Sequence, residues 1–274
     1  MGESNSGSCG HEELCKLAEG LYHEAYMSNC YIALIDQLQH GIKEYREEMR
    51  CSASFYSFSY YALASALIME LAKLYDENAL SIQKLYNLCY SKKDSFPSKR
   101  KVEYPSEDGS QVFEFPYYHS FSADEIKLAQ NTKDDFAKRV KSYYSSIDPS
   151  LQSSFPMAVS LEEYLILYKW KKKALNAAIE NLKEQRNKIY AHNDINSKFD
   201  IDSIEKQFPI SMEDMRNLTA YALDLSRIVI ALCTGVYKAD KPINIGDLRN
   251  TLHMVRIGMK YQKQYYDDTD KEDT

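Results

Sequence analysis

The sequence predicts an all-α protein, a helical bundle of about six to eight helices with one long loop insertion. Three observations carry this. Helix breakers are scarce, with 9 glycines and 7 prolines in 274 residues, and most of the prolines fall between Pro97 and Pro116 or at Pro149 and Pro156. Apolar residues recur at helical spacing over long uninterrupted stretches. A hydrophobic content of 44% in a chain of this length is enough to bury a sizeable core.

From His11 to about Met49, Leu14, Leu17, Leu21, Ala25, Ile32, Ile35, Leu38 and Ile42 mark one long helix or two in line. From Phe55 to Tyr75 the chain is apolar nearly all round (Tyr60, Tyr61, Leu63, Leu67, Ile68, Leu71, Leu74), which predicts a buried helix. Asp76 reads as the cap of the next helix, which carries Leu80, Ile82, Leu85 and Leu88. The pattern fails over 91–121, an insertion in which QVFEF alternates like a short strand. Ser122 with Glu125, and Ser160 with Glu163, are capping boxes; the second opens the longest clean run, Leu161 to His192, roughly 50 Å of helix at 1.5 Å per residue. SMED caps a further helix that stops at Gly235, and a last helix spans about Asp247 to Tyr266. These elements make one domain over 11–266, between a leader at 1–10 and an acidic tail at 267–274, both expected to be disordered. The leader's Gly2 fits the N-myristoylation pattern, but the polar run MGESNS reads more simply as an unstructured start.

The formal charge of −6 comes mostly from the tail DDTDKEDT, with five acids against one lysine. A general polyanion binder would be basic, so any nucleic-acid contact is expected to be local or built by dimerisation. The six cysteines are scattered, without a CxxC pair, and read as reduced thiols of a cytoplasmic protein. YYALASALIMELAKLY is interrupted by Glu70 and Lys73, so no membrane span is expected. His11, His23 and the nearby cysteines lack metal-ligand spacing, and no glycine-rich loop cradles a phosphate; neither metal nor cofactor is expected.

Chemistry concentrates in NLKEQRNKIYAHND, Asn181 to Asp194. The stripe Leu161, Leu165, Tyr168, Leu175, Ile179, Leu182, Ile189 runs down one face of the long helix, and Arg186 occupies a place in it. At about 100° per residue, Arg186 and His192 stand about 60° to either side of Ile189. An arginine there must snorkel, pair with an acid or face another subunit. Asn187 and Tyr190 lie beside it, and Asp194 is placed to orient the histidine ring. Arginine on a phosphate and histidine moving a proton are the minimum kit for cleaving RNA through its own 2′-hydroxyl. A two-fold dimer would bring two of each together.

RNKIYAHND resembles the signature of the HEPN superfamily: arginine, four to six residues of which the first is usually polar, then histidine. LAKLYDENALSIQKLYNLC and FPISMEDMRNLTAYALDLSRIV are similar to the abortive-infection, AbiU-like branch, so the resemblance runs from about Ser54 to Val236. It implies an all-α bundle, dimerisation with the motif at the interface, and metal-independent ribonuclease activity in phage defence or a toxin–antitoxin pair. By position, Arg186 and His192 would be the catalytic pair and Asn187 the polar helper. Related toxins often carry a modifiable tyrosine two places after the histidine; Asp194 stands there instead, so adenylylation at that position is not expected.

Weaker signals are the basic insertion (Lys99, Arg100, Lys101) and KWKKK with Lys171, Lys172 and the single tryptophan, as RNA-phosphate contacts or, more simply, a solvated helix face with one anchoring aromatic. The 23 tyrosines read as packing residues. The leading expectation is a cytoplasmic homodimeric endoribonuclease acting on RNA, with an antitoxin as a further partner if it belongs to such a pair. The alternatives are an inactive bundle that binds RNA, a nucleotide or a protein, and a purely structural dimerisation module.

Overall fold

The computed structural model describes residues 6–77, 80–97, 100–106, 109–191, 205–243 and 245–272. The first apolar run forms two helices in line, α1 (Ser6–Glu44) and α2 (Arg46–Arg50), separated at Tyr45, whose backbone (φ −128°, ψ 42°) leaves the helical region. Leu14, Ala18, Leu21, Ala25, Ile32 and Ile35 line the inner face of α1 at helical spacing and are buried. Ile42, expected on that face, is 56% exposed, because the stripe ends where the chain turns into α2.

Helix α3 (Ala53–Leu74) corrects the expectation of burial all round. Leu67, Ile68, Leu71, Ala72 and Leu74 are buried, whereas Phe55, Phe58 and Tyr61 are exposed at the other end. The second half runs beneath the main core, while Tyr56, Tyr60 and Leu63 of the first half are partly buried against the cluster of Leu38, Tyr45, Met49 and Leu252. Helix α4 (Ile82–Ser91) is capped by Ser81, whose hydroxyl accepts from the Lys84 N–H, rather than by Asp76.

The insertion is ordered as a hairpin, β1 (Arg100–Ser106) against β2 (Gly109–Phe115), antiparallel with Val102 opposite Phe113. QVFEF lies in β2, as its alternation predicts. Two short strands, β3 (Tyr118–His119) and β4 (Met157–Ala158), then pair antiparallel and bring the end of the insertion beside the next long helix.

The run from Ser122 divides into α5 (Ala123–Gln130) and α6 (Asp135–Tyr144) because Asp134 opens a second cap, accepting from the Ala137 N–H at 2.8 Å. The capping boxes of Ser122–Glu125 and Ser160–Glu163 form as expected, the second opening α7 (Leu161–Gln185). Helix α8 (Met212–Thr234) starts from a Ser211–Asp214 box and stops at Gly235, whose φ of 77° is the left-handed cap that glycine tolerates best.

Helix α8 is the axis of the core. From Leu225 to Leu232 every residue is buried, against α1 on one side and α7 on the other. Helix α9 (Asp247–Glu272) packs on α1 and α2 through Leu252 and through Arg256, whose guanidinium lies 2.5 Å from Glu48. Helical backbone includes residues 6–10 and 267–272, where disorder is expected from composition; once packing has nucleated a helix, each added residue gains a hydrogen bond. No described helix is long and apolar enough to cross a membrane.

Candidate active site at the end of α7

Helix α7 buries Leu161, Leu165, Tyr168, Ile179 and Leu182, five members of the stripe read from sequence, while Leu175 is half-buried. At Arg186 its character changes. Residues Arg186–Ala191 form a turn of π-helix, in which hydrogen bonds run i→i+5, and such turns concentrate at functional sites. The placement of Arg186 and His192 at equal angles about Ile189 assumes uniform α-geometry, so the wider turn replaces that figure. Tyr190 is described only as backbone within the turn, and His192 and Asp194 lie outside the described residues.

The partner that Arg186 needs is Asp76. Tyr75 is buried, and its hydroxyl donates to the Leu218 carbonyl of α8 at 2.7 Å, which fixes the end of α3 and holds the next residue toward α7. Asp76 Oδ2 then accepts from Arg186 Nη1 at 3.1 Å, with both side chains 27% exposed. Asn187, the expected polar helper, accepts from Arg186 Nε at 3.1 Å through Oδ1. One turn earlier Lys183 lies 3.3 Å from Glu77, so consecutive acids after α3 each meet a cation on one face of α7. Sequence reading assigned Asp76 to a cap. Pairing with an acid is one of three outcomes the sequence leaves open for Arg186, and the acid that answers is 110 residues away.

The far wall is the approach to α8. Gln185, buried, donates to the Phe208 carbonyl at 2.7 Å, Asn181 donates to the Pro209 carbonyl at 2.7 Å, and the Lys188 ammonium sits 4.1 Å from the centre of the Phe208 ring. The site therefore rests on α3, α7 and the segment before α8. Chemically it offers a guanidinium fixed on two edges by a carboxylate and an amide oxygen, with Nη2 unengaged among the described residues. That geometry can take an anion through the remaining N–H groups.

The weaker basic candidates fall elsewhere. Lys99 lies outside the described residues, Arg100 is described as strand backbone, and Lys101 is exposed opposite Glu114 in the hairpin. Lys171 turns inward onto Glu125 at 2.6 Å, and Lys172 donates to the side-chain oxygen of Gln83. Trp170 is buried, its ring stacked 5.1 Å from Phe136 and its Nε1–H donating to Asp134 at 2.9 Å, so it anchors the helix rather than presenting a face to a base. Around Lys171 a buried network escaped the sequence reading: His119 Nε2 lies 3.0 Å from Glu125. Burial would raise the Glu125 carboxyl, but the bonds and charges of His119 and Lys171 outweigh it and hold the pKa at about 2.

An all-α bundle in which helix α7, shorter than the 39-residue α1, ends in this arginine-bearing turn defines a class of protein. A family model described as AbiU2, of the HEPN type, matches residues 11–250, and the chain belongs to that family. The match extends at both ends beyond the Ser54–Val236 stretch that carries the resemblance. No curated protein and no solved structure matches the chain.

Proposed function

We propose that this protein is a metal-independent endoribonuclease of HEPN type, cytoplasmic and homodimeric, acting in abortive infection against phage or as the toxin of a toxin–antitoxin pair. The observation that carries the reading is the Arg186 guanidinium, held by Asp76 and Asn187 with Nη2 left for a phosphate. In the reaction the 2′-oxygen of RNA bonds to the adjacent phosphorus and the bond to the 5′-oxygen breaks, leaving a 2′,3′-cyclic phosphate and a 5′-hydroxyl. Negative charge grows on the non-bridging oxygens, where Arg186 stabilises it. His192 takes the proton from the 2′-hydroxyl or delivers one to the departing 5′-oxygen, and a second copy of the chain supplies the complementary role.

The test incubates purified protein with mixed RNA in EDTA, comparing the wild type with Arg186→Ala and His192→Ala. Cleavage leaving 2′,3′-cyclic ends, lost in both variants, is the expected result; full activity in both variants would overturn the assignment. The Asp76–Arg186 ion pair favours one other reading, because a carboxylate already neutralises the arginine: an inactive bundle that binds RNA. Retention of RNA in a gel shift without cleavage would identify it.

A further inference from the structure

Next to the arginine, and one turn before it on α7, lies a recess of about 290 Å³ walled by the end of α3, the start of α4, α7 and α8. Its volume is at the lower end of those of small-molecule sites. Ile82 and Ile179 supply apolar wall, Tyr75 and Tyr221 aromatic wall, and Gln83, Lys172 and Asn176 polar groups. Tyr221 is only 4% exposed, yet among the described residues its hydroxyl has no hydrogen-bond partner. That hydroxyl is not among the described buried side-chain atoms left without a partner, which are Gln37 Oε1 and the Tyr168 hydroxyl, so it reaches the recess and can bond what enters it.

The charges narrow what that is. Lys183 is held between Glu77 at 3.3 Å and Glu180 at 3.4 Å, and Lys172 is bonded to the Gln83 amide oxygen, so two acids offset two lysines. A phosphate would gain little here. Gln83 is fixed further by donating to Asn87 at 2.7 Å, which leaves the Tyr221 hydroxyl, the exposed Asn176 amide and the remaining Lys172 protons as groups able to read a ligand. Apolar walls with a few polar edges suit a flat, neutral, hydrogen-bonding group.

We propose that this recess is a base-binding subsite, taking one nucleobase of an RNA strand whose neighbouring phosphate lies on Arg186. Lys183 and Glu77 line the recess, and their chain neighbours Arg186, about 4.5 Å further along the helix axis, and Asp76 make the adjoining ion pair. The Tyr221 hydroxyl and the Asn176 amide bond the base edge and set which base precedes or follows the cut. Burial pushes the Tyr221 phenol up from its ordinary value, so it stays protonated and able to donate. The inference rests on the ribonuclease reading for the identity of the polymer.

The test titrates wild type, Tyr221→Phe, Asn176→Ala and Arg186→Ala with the four nucleoside 5′-monophosphates and four homopolymeric RNA oligomers, in EDTA. The wild type is expected to prefer one base. Tyr221→Phe and Asn176→Ala each lower affinity for that base by about tenfold, the worth of one hydrogen bond, and change the others much less. Arg186→Ala weakens all four oligomers alike. Because Tyr221→Phe keeps the ring and removes an unpaired hydroxyl, the free variant melts no lower than the wild type. Equal losses on all bases, unchanged affinities, or no nucleotide binding by the wild type would overturn the subsite. RNA cleavage with an indifferent Tyr221→Phe leaves the ribonuclease reading standing without it; base-selective binding without cleavage leaves the subsite standing and removes the enzyme.

Discussion

Asp76 shows how one residue changes the meaning of another. Alone in an apolar stripe, Arg186 is a liability; with Asp76 on Nη1 and Asn187 on Nε it is an oriented donor. Arg186→Ala is expected to cost about a hundredfold or more in RNA cleavage, as loss of a transition-state donor does. Asp76→Asn keeps the shape and an acceptor but loosens the clamp, and should cost about tenfold to a hundredfold by misplacing the guanidinium, read as kcat on the same RNA. An unchanged rate would show that Asp76 does not position Arg186. Thiol chemistry gives a separate check: burial, with Cys233 nearby, pushes the Cys89 thiol up to about 12, whereas Cys51 is exposed. A thiol reagent at neutral pH should label Cys51 in the folded protein and reach Cys89 only on unfolding, as peptide mapping would reveal.

Elements here are set by their ends. Ser160→Ala removes the hydroxyl that accepts from the Glu163 N–H and should lower stability by about 1 kcal/mol, seen as a reduced melting temperature. Two capping boxes, the cap in SMED and the Gly235 stop were legible because a cap needs only residues within one turn. The exposure of Phe55, Phe58 and Tyr61 in α3 was not, because an apolar helix reads the same whether or not a neighbour covers it. Nor was the π turn at Arg186–Ala191, since no residue in RNKIYA breaks a helix. Asp76 was misread for a related reason: an aspartate ahead of a helical run looks like a cap, and Ser81 took that place.

At the scale of the whole molecule, Glu125 ties α5 to α7 through Lys171 and to β3 through His119. Its folded pKa of about 2 lies below the ordinary 4.5, so its contribution to stability is fully present above pH 4.5 and is lost as pH falls from there toward 2. Lys171→Met leaves the carboxylate with one partner fewer. It should destabilise by about 3 kcal/mol and move the acid-unfolding midpoint to higher pH, measured by circular dichroism. Assembly is tested by light scattering: the proposed enzyme needs a dimer, and a monomer that still cleaves RNA would remove the composite site from the mechanism.

What the sequence by itself determined is the all-α architecture, the caps at Ser122, Ser160 and Ser211 with the stop at Gly235, most of the buried stripe of α7, and Arg186 as a residue in need of company. All of these follow from spacing within a few turns, where chain connectivity sets who meets whom. Only the tertiary structure decided that Asp76 answers Arg186, that Lys171 serves Glu125, and that Tyr221 fronts a recess beside the arginine. Those pairings join residues 46 to 110 positions apart, or walls drawn from four helices. Which distant groups meet depends on how the helices pack around α8, and local periodicity carries no record of that.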